Sequence, residues 1–260
     1  MTNVIIGEFV GTILLVLLGD GVCANVTLNN SGFKAAGALF IALGWGLAVA
    51  LPAAAFSGIC PASYNPALTI ALFADGTLAA ADGYTIAVII EMIIAGSLLA
   101  GKFTIGTVIG MIIAEMAGGF VGAILVWIAF KPQFDASSDL GDSLRGVFCT
   151  APGVRNLPYN ILQEAIATFW LVFAIKAACG AFPLGTFGVF LVIVSCGTTF
   201  GGLTGYAMNA ARDTAPRLAF SILPIKGKGD ADWAYGLTAP LIGPVIGALV
   251  AVAVYAALPL

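Results

Sequence analysis

Polar positions are so sparse along this chain that they serve as landmarks. Between them run apolar stretches of roughly 20 residues, the length an α-helix needs to cross a bilayer. Six runs have that character: about 4–22, 35–56, 105–130, 159–179, 185–200 and 235–258. Two shorter apolar segments, 66–74 and 210–223, fall short of a span. The pattern predicts an all-α membrane protein with six transmembrane helices and two re-entrant half-helices.

The landmarks also repeat. Glu8, Thr12, Leu15 and Val16 return at the same spacing as Glu164, Thr168, Leu171 and Val172. Asn65-Pro66-Ala67 returns as Asn209-Ala210-Ala211, and AEMAGGFVGAIL from Ala114 aligns with APLIGPVIGALV from Ala239. Each half holds three spans, an odd number, so the second half enters the membrane from the opposite face. That is an inverted repeat, which in transport folds places the functional site near the midplane, where the halves meet. A single domain over 1–260 follows, with repeat 1 at about 1–130, a connecting loop at 131–158 and repeat 2 at about 159–260. The offsets between matches are 156, 144 and 125 residues. The last step leaves an excess of 19 residues in the first half, inside 75–101. A spanning helix there would reverse the third span, so an interfacial or re-entrant inserted segment is expected.

Both short segments begin at an asparagine. Proline suits the first helical position, where its missing N–H costs nothing, so Asn65 is a natural cap and Pro66 a helix start. By the repeat, Asn209 caps a second half-helix at Ala210. Inversion points the two N-termini at each other, and each carries about half a positive elementary charge. Their meeting point repels cations, while the side-chain amides offer hydrogen-bond donors. Arg212 lies in the first turn of the second half-helix. An arginine in this setting faces protein or water rather than lipid. Lining a pore, it would donate to passing solutes and repel cations; the bland alternative is snorkelling to a headgroup. Asp213 either holds its surroundings or is a favourable acidic residue in a first helical turn.

Composition agrees with the pattern and removes other classes. Residues are 60% hydrophobic and 9% charged, against about 25% charged in soluble domains. The net charge of −3 comes with no basic cluster, so nucleic-acid binding has no footing. Without histidine the chain lacks the commonest general base and metal ligand,. The five cysteines are scattered and read as small apolar residues rather than as metal ligands or disulfide partners,. No cofactor or metal is expected. The first apolar run lacks a basic leader and reads as a spanning helix, not a cleaved signal.

On these residues the chain resembles the aquaporin (major intrinsic protein) family, in its glycerol-conducting aquaglyceroporin branch. Asn65-Pro66-Ala67 and GLTGYAMNAARD match the two signature motifs. The resemblance implies a selectivity filter of Trp45, Gly197, Tyr206 and Arg212, with Asp213 marking the glycerol branch. It implies that Glu8 and Glu164 brace the re-entrant loops. It also implies a passive channel for glycerol or a similar small polyol, together with water, that excludes ions and protons. A homotetramer in the cell membrane, among lipid and with cytoplasmic termini, completes the implied picture. Two residues depart from the pattern: Ala210 stands where the family usually has proline, and Tyr206 where glycerol channels usually have phenylalanine. The basic residues of the loops also lie mostly on the side the family places outside, against the positive-inside tendency. The alternative is a proton-coupled secondary transporter that titrates Glu8, Glu115 and Glu164. Against a membrane enzyme, the sequence offers no histidine, no paired cysteines and no nucleophile with a base.

Overall fold

The computed structural model describes residues 2–80, 104–179 and 184–258, without the side chains of 76–80, 178 and 179. Within them the chain is helical, with no strand. The long helices are α1 (Thr2–Thr27), α2 (Ala38–Phe56), α3 (Pro66–Ala80), α4 (Ile105–Ala129), α5 (Leu157–Cys179), α6 (Gly185–Thr204), α7 (Ala210–Ile222) and α8 (Ala239–Ala257). Six segments are long and apolar enough to cross a membrane: α1, α2, α4, α5, α6, and α8 with the short helix before it, Trp233–Ala257. Their outer faces are apolar too, with Leu39, Ile113 and Leu51 among the exposed side chains, as expected where lipid replaces water.

Packing follows a twofold pattern. α1 lies on α2 and α4, as α5 lies on α6 and α8. The short helix of each half packs on the last helix of the other: α7 on α4, α3 on α8. Helices α2 and α6 meet across the pseudo-axis, and so do α3 and α7. Small residues permit this closeness. A Cβ on Gly118 would lie 2.5 Å from the Phe9 carbonyl oxygen, and one on Gly247 would lie 2.0 Å from that of Ala165. Phe9 and Ala165 are repeat mates, so the contacts pair Gly118 with Gly247. Sequence similarity had paired Gly118 with Gly243, four residues earlier. The offset at this point is therefore 129 residues, and the excess in the first half is 15. The spaced glycines Gly118 and Gly122 of α4 and Gly243 and Gly247 of α8 all make close contacts within the chain.

Helix α3 begins at Pro66 but runs to Ala80, six residues past the expected end at 74. It thus takes in the start of the segment read from sequence as an insertion at 75–101. The remainder of that segment, from 81, lies outside the described residues. Cys23, Cys60, Cys149 and Cys196 are buried free thiols.

Candidate pore site

The site is built from two loops, each held by a buried glutamate. Glu8 on α1 accepts the backbone N–H groups of Ser63 (3.2 Å) and Tyr64 (2.8 Å). Glu164 on α5 accepts those of Ala207 (3.0 Å) and Met208 (2.7 Å). A trans peptide points its carbonyl away from its N–H. Turning these N–H groups onto the wall therefore sends the carbonyls of Ala62, Ser63, Tyr206 and Ala207 the other way. The loops accept an unusual backbone to do this. Ala62, Tyr64, Tyr206 and Met208 have φ of 55°, 51°, 42° and 51°, a conformation that costs a non-glycine residue about 1–3 kcal/mol.

The asparagines lock the loops together. Asn65 Oδ1 accepts from Ala67 N, and Asn209 Oδ1 from Ala211 N and Arg212 N, so each caps its own helix. Asn65 Nδ2 donates to the Met208 carbonyl at 2.9 Å, and Asn209 Nδ2 to the Tyr64 carbonyl at 2.8 Å. Each amide has two hydrogens. One fastens the opposite loop, and the other is left for whatever lies between the helices. Pro66, Ala67, Ala210 and Ala211 form the first turns of α3 and α7 around this junction and are buried.

A narrow cavity of about 50 Å³ runs along the junction. Its lining combines apolar side chains (Leu15, Val49, Leu68, Leu171, Ile175, Ile193) with Ser63, Asn65, Ala207, Asn209 and Arg212. A second, open cavity is lined by Cys23, Thr150, Gly197, Tyr206 and Arg212 among others. Tyr206 and Arg212 line both. They therefore stand at the neck between the two. Trp45 reaches the neck from α2, its ring 4.1 Å below the Arg212 guanidinium carbon. Gly197 on α6 leaves the space that the Tyr206 ring occupies, since a Cβ there would lie 3.1 Å from the phenol carbon. The four residues singled out from sequence as a filter thus meet at one place, although they come from three helices and a loop.

Asp213 faces away from this neck. Its carboxylate accepts from Thr150 N (2.6 Å) and Thr150 Oγ1 (2.7 Å) and pairs with Arg217 Nη2 (2.8 Å). Arg217, wholly buried, also donates to the carbonyls of Thr150 and Ala231. Sequence reasoning left the role of Asp213 open between holding its surroundings and favouring a helix turn; it missed Arg217 and Thr150 as its partners, and it missed Asp20, which sits 3.9 Å from Arg212 Nη1. For Asp20 the signal was present: an acidic residue inside the first apolar run. No metal-binding cluster of histidine, cysteine or acidic side chains occurs among the described residues.

The family model described as Major intrinsic protein matches residues 1–101 and 92–255. The chain belongs to the major intrinsic protein family. It is 40% identical over 251 residues to glycerol uptake facilitator protein 3 of Lactiplantibacillus plantarum, covering 94% of each chain. It is 39% identical over 259 residues to the glycerol uptake facilitator protein of Streptococcus pneumoniae, covering 98% of this chain and 99% of that one. Among solved structures it resembles the aquaglyceroporin of Plasmodium falciparum, with a TM-score of 0.76 at 26% identity, covering 98% of this chain and 95% of that one. With six apolar helices and this membership, the chain is a multi-pass membrane protein of a channel family.

Proposed function

We propose that this protein is a passive channel for glycerol and similar small uncharged solutes, together with water, and that Trp45, Gly197, Tyr206 and Arg212 form its selectivity filter. The observation that carries this reading is the shared membership of Tyr206 and Arg212 in both cavities. A solute going from one to the other passes between an aromatic corner and a guanidinium. A polyol suits such a neck, its carbons facing the rings and its hydroxyls facing Arg212 and the loop carbonyls. An ion finds too few ligands there to replace its hydration shell. Beyond the neck, the spare hydrogens of Asn65 and Asn209 re-orient each hydroxyl. The two helix N-termini add a positive potential against cations and protons. Glycerol uptake facilitators as close relatives support the choice of solute.

In this reading Glu8 and Glu164 are structural and do not titrate during transport, because their oxygens are engaged by loop N–H groups. The chain acts as a homotetramer in the cell membrane, one pore per subunit, with cytoplasmic termini. It is a single domain of two repeats joined by 131–158.

The test is stopped-flow light scattering on proteoliposomes. A glycerol jump should shrink them and then re-swell them faster than protein-free vesicles, and an imposed pH gradient should leave internal and external glycerol equal. Glycerol accumulated above the outside concentration under that gradient establishes the proton-coupled transporter instead.

A further inference from the structure

Asp20 is fully buried within α1 and lines neither cavity of the pore. Neither of its carboxylate oxygens accepts a hydrogen bond from the described residues, and Arg212 Nη1 also lacks a hydrogen-bond partner among them. These atoms face each other at 3.9 Å. A carboxylate in an apolar bundle is expensive unless an opposite charge compensates it, and a guanidinium equally so. Each is therefore the compensation of the other.

The local sequence builds this contact. A Cβ on Gly19 would lie 2.4 Å from the Trp45 ring, so glycine lets Trp45 lie against α1. The next residue then reaches the guanidinium stacked on that same ring. Arg212 is thus held in plane by Trp45 and at one end by Asp20. The repeat supplies a parallel. Asp20 follows Glu8 by 12 residues, as Lys176 follows Glu164. Lys176 Nζ pairs with Asp75 on α3 at 2.6 Å. In both halves, the first helix uses this position to tie down the other half's short helix by charge.

We propose that Asp20 is a positioning residue for Arg212 and, through it, sets the size of solute that passes the neck; this rests on the reading of Arg212 as a filter residue. With the carboxylate present, the guanidinium is drawn towards the α1 wall. Without it, the one polar direction left to the guanidinium is the lumen. It then narrows the neck, and glycerol, being broader than water, loses more.

The experiment is the ratio of glycerol to water permeability of the full chain in proteoliposomes, a ratio independent of how much protein inserts. Asp20→Asn should lower it about fivefold or more, within the usual range for two contacting groups. Asp20→Glu keeps the charge and should hold the native ratio within about twofold. In an Arg212→Ala background, Asp20→Asn should do nothing further. An equal drop in both backgrounds means that Asp20 only packs α1, and overturns the proposal. An unchanged ratio in Asp20→Asn, with a changed one in Arg212→Ala, also overturns it but leaves the filter standing. If Arg212→Ala itself leaves the ratio unchanged, both readings fall.

Discussion

The two half-helix junctions are made alike and decorated differently. In backbone terms Ala62–Asn65 and Tyr206–Asn209 are copies, with left-handed residues at matching positions, a glutamate gripping two N–H groups, and an asparagine that caps one helix and grips the other loop. Side chains then diverge. At the offset of 144 residues that relates the asparagines, Leu68 matches Arg212 and Thr69 matches Asp213. Thr69 donates to Glu115 on α4, whereas Asp213 anchors Arg217 and Thr150. Symmetry provides a rigid frame that brings four elements to one point. Breaking that symmetry in the first turn of α7 puts a charge, Arg212, in the cavity lining where the other half contributes Leu68.

If the frame is symmetric, its two grips should matter about equally. Glu164→Ala strands the buried N–H groups of Ala207 and Met208, and Glu8→Ala those of Ser63 and Tyr64. At about 1–3 kcal/mol for each stranded donor, either change costs about 2–6 kcal/mol. The expected result is loss of glycerol flux and a lower unfolding temperature in detergent for both variants. A variant that keeps full flux shows that its loop is held by something else, and the symmetric picture fails there.

Decoration should separate the halves. Asp213→Thr gives α7 the residue of its counterpart and leaves Arg217 buried beside no carboxylate of its own helix. Removing one partner of a buried pair costs about 3–5 kcal/mol. Thr69→Val removes a single hydrogen bond to Glu115 and costs about 1–3 kcal/mol, the desolvation of one unsatisfied partner. Thermal unfolding of the two variants side by side should rank Asp213→Thr well below Thr69→Val. Equal losses mean that Arg217 draws its compensation from the Ala231 and Thr150 carbonyls rather than from Asp213.

Much of this was legible in the sequence because membrane helices announce themselves. Long apolar runs gave all six spans, with ends displaced by a few residues, and the paired asparagines gave the starts of α3 and α7. Parity of spans gave the inversion without any contact. The register of α4 against α8 was not legible: GxxxG recurs every four residues, so Gly118 aligns as well with Gly243 as with Gly247, and only the Phe9 and Ala165 carbonyls decide. The end of α3 escaped for a different reason: Asp75-Gly76 reads as a turn signal, yet the helix runs through it to Ala80. Asp20 and Arg217 escaped because their partners are distant or on the hidden side of a helix. A lone charge in an apolar run says that a partner exists, not which one.

The mildest contrast is the proline that opens α3 against the alanine that opens α7. Proline at the first helical position fixes φ near −65° and pre-forms the turn. Alanine is the best helix former, so α7 begins at the same place without it. The structure bears this out locally: Asn209 Oδ1 accepts from two N–H groups of the turn, Ala211 and Arg212, where Asn65 Oδ1 accepts from Ala67. The cap therefore already holds what proline would pre-set. Ala210→Pro should change glycerol permeability by less than about tenfold, which is under about 1.4 kcal/mol. Proton exclusion should be unchanged, since both helix N-termini and Arg212 remain. Glycerol flux and proton leak measured on matched proteoliposomes decide the matter. If the proline variant stops conducting, or if the native channel leaks protons and the variant does not, Ala210 is an adaptation of this pore and the two junctions differ in backbone as well as in decoration.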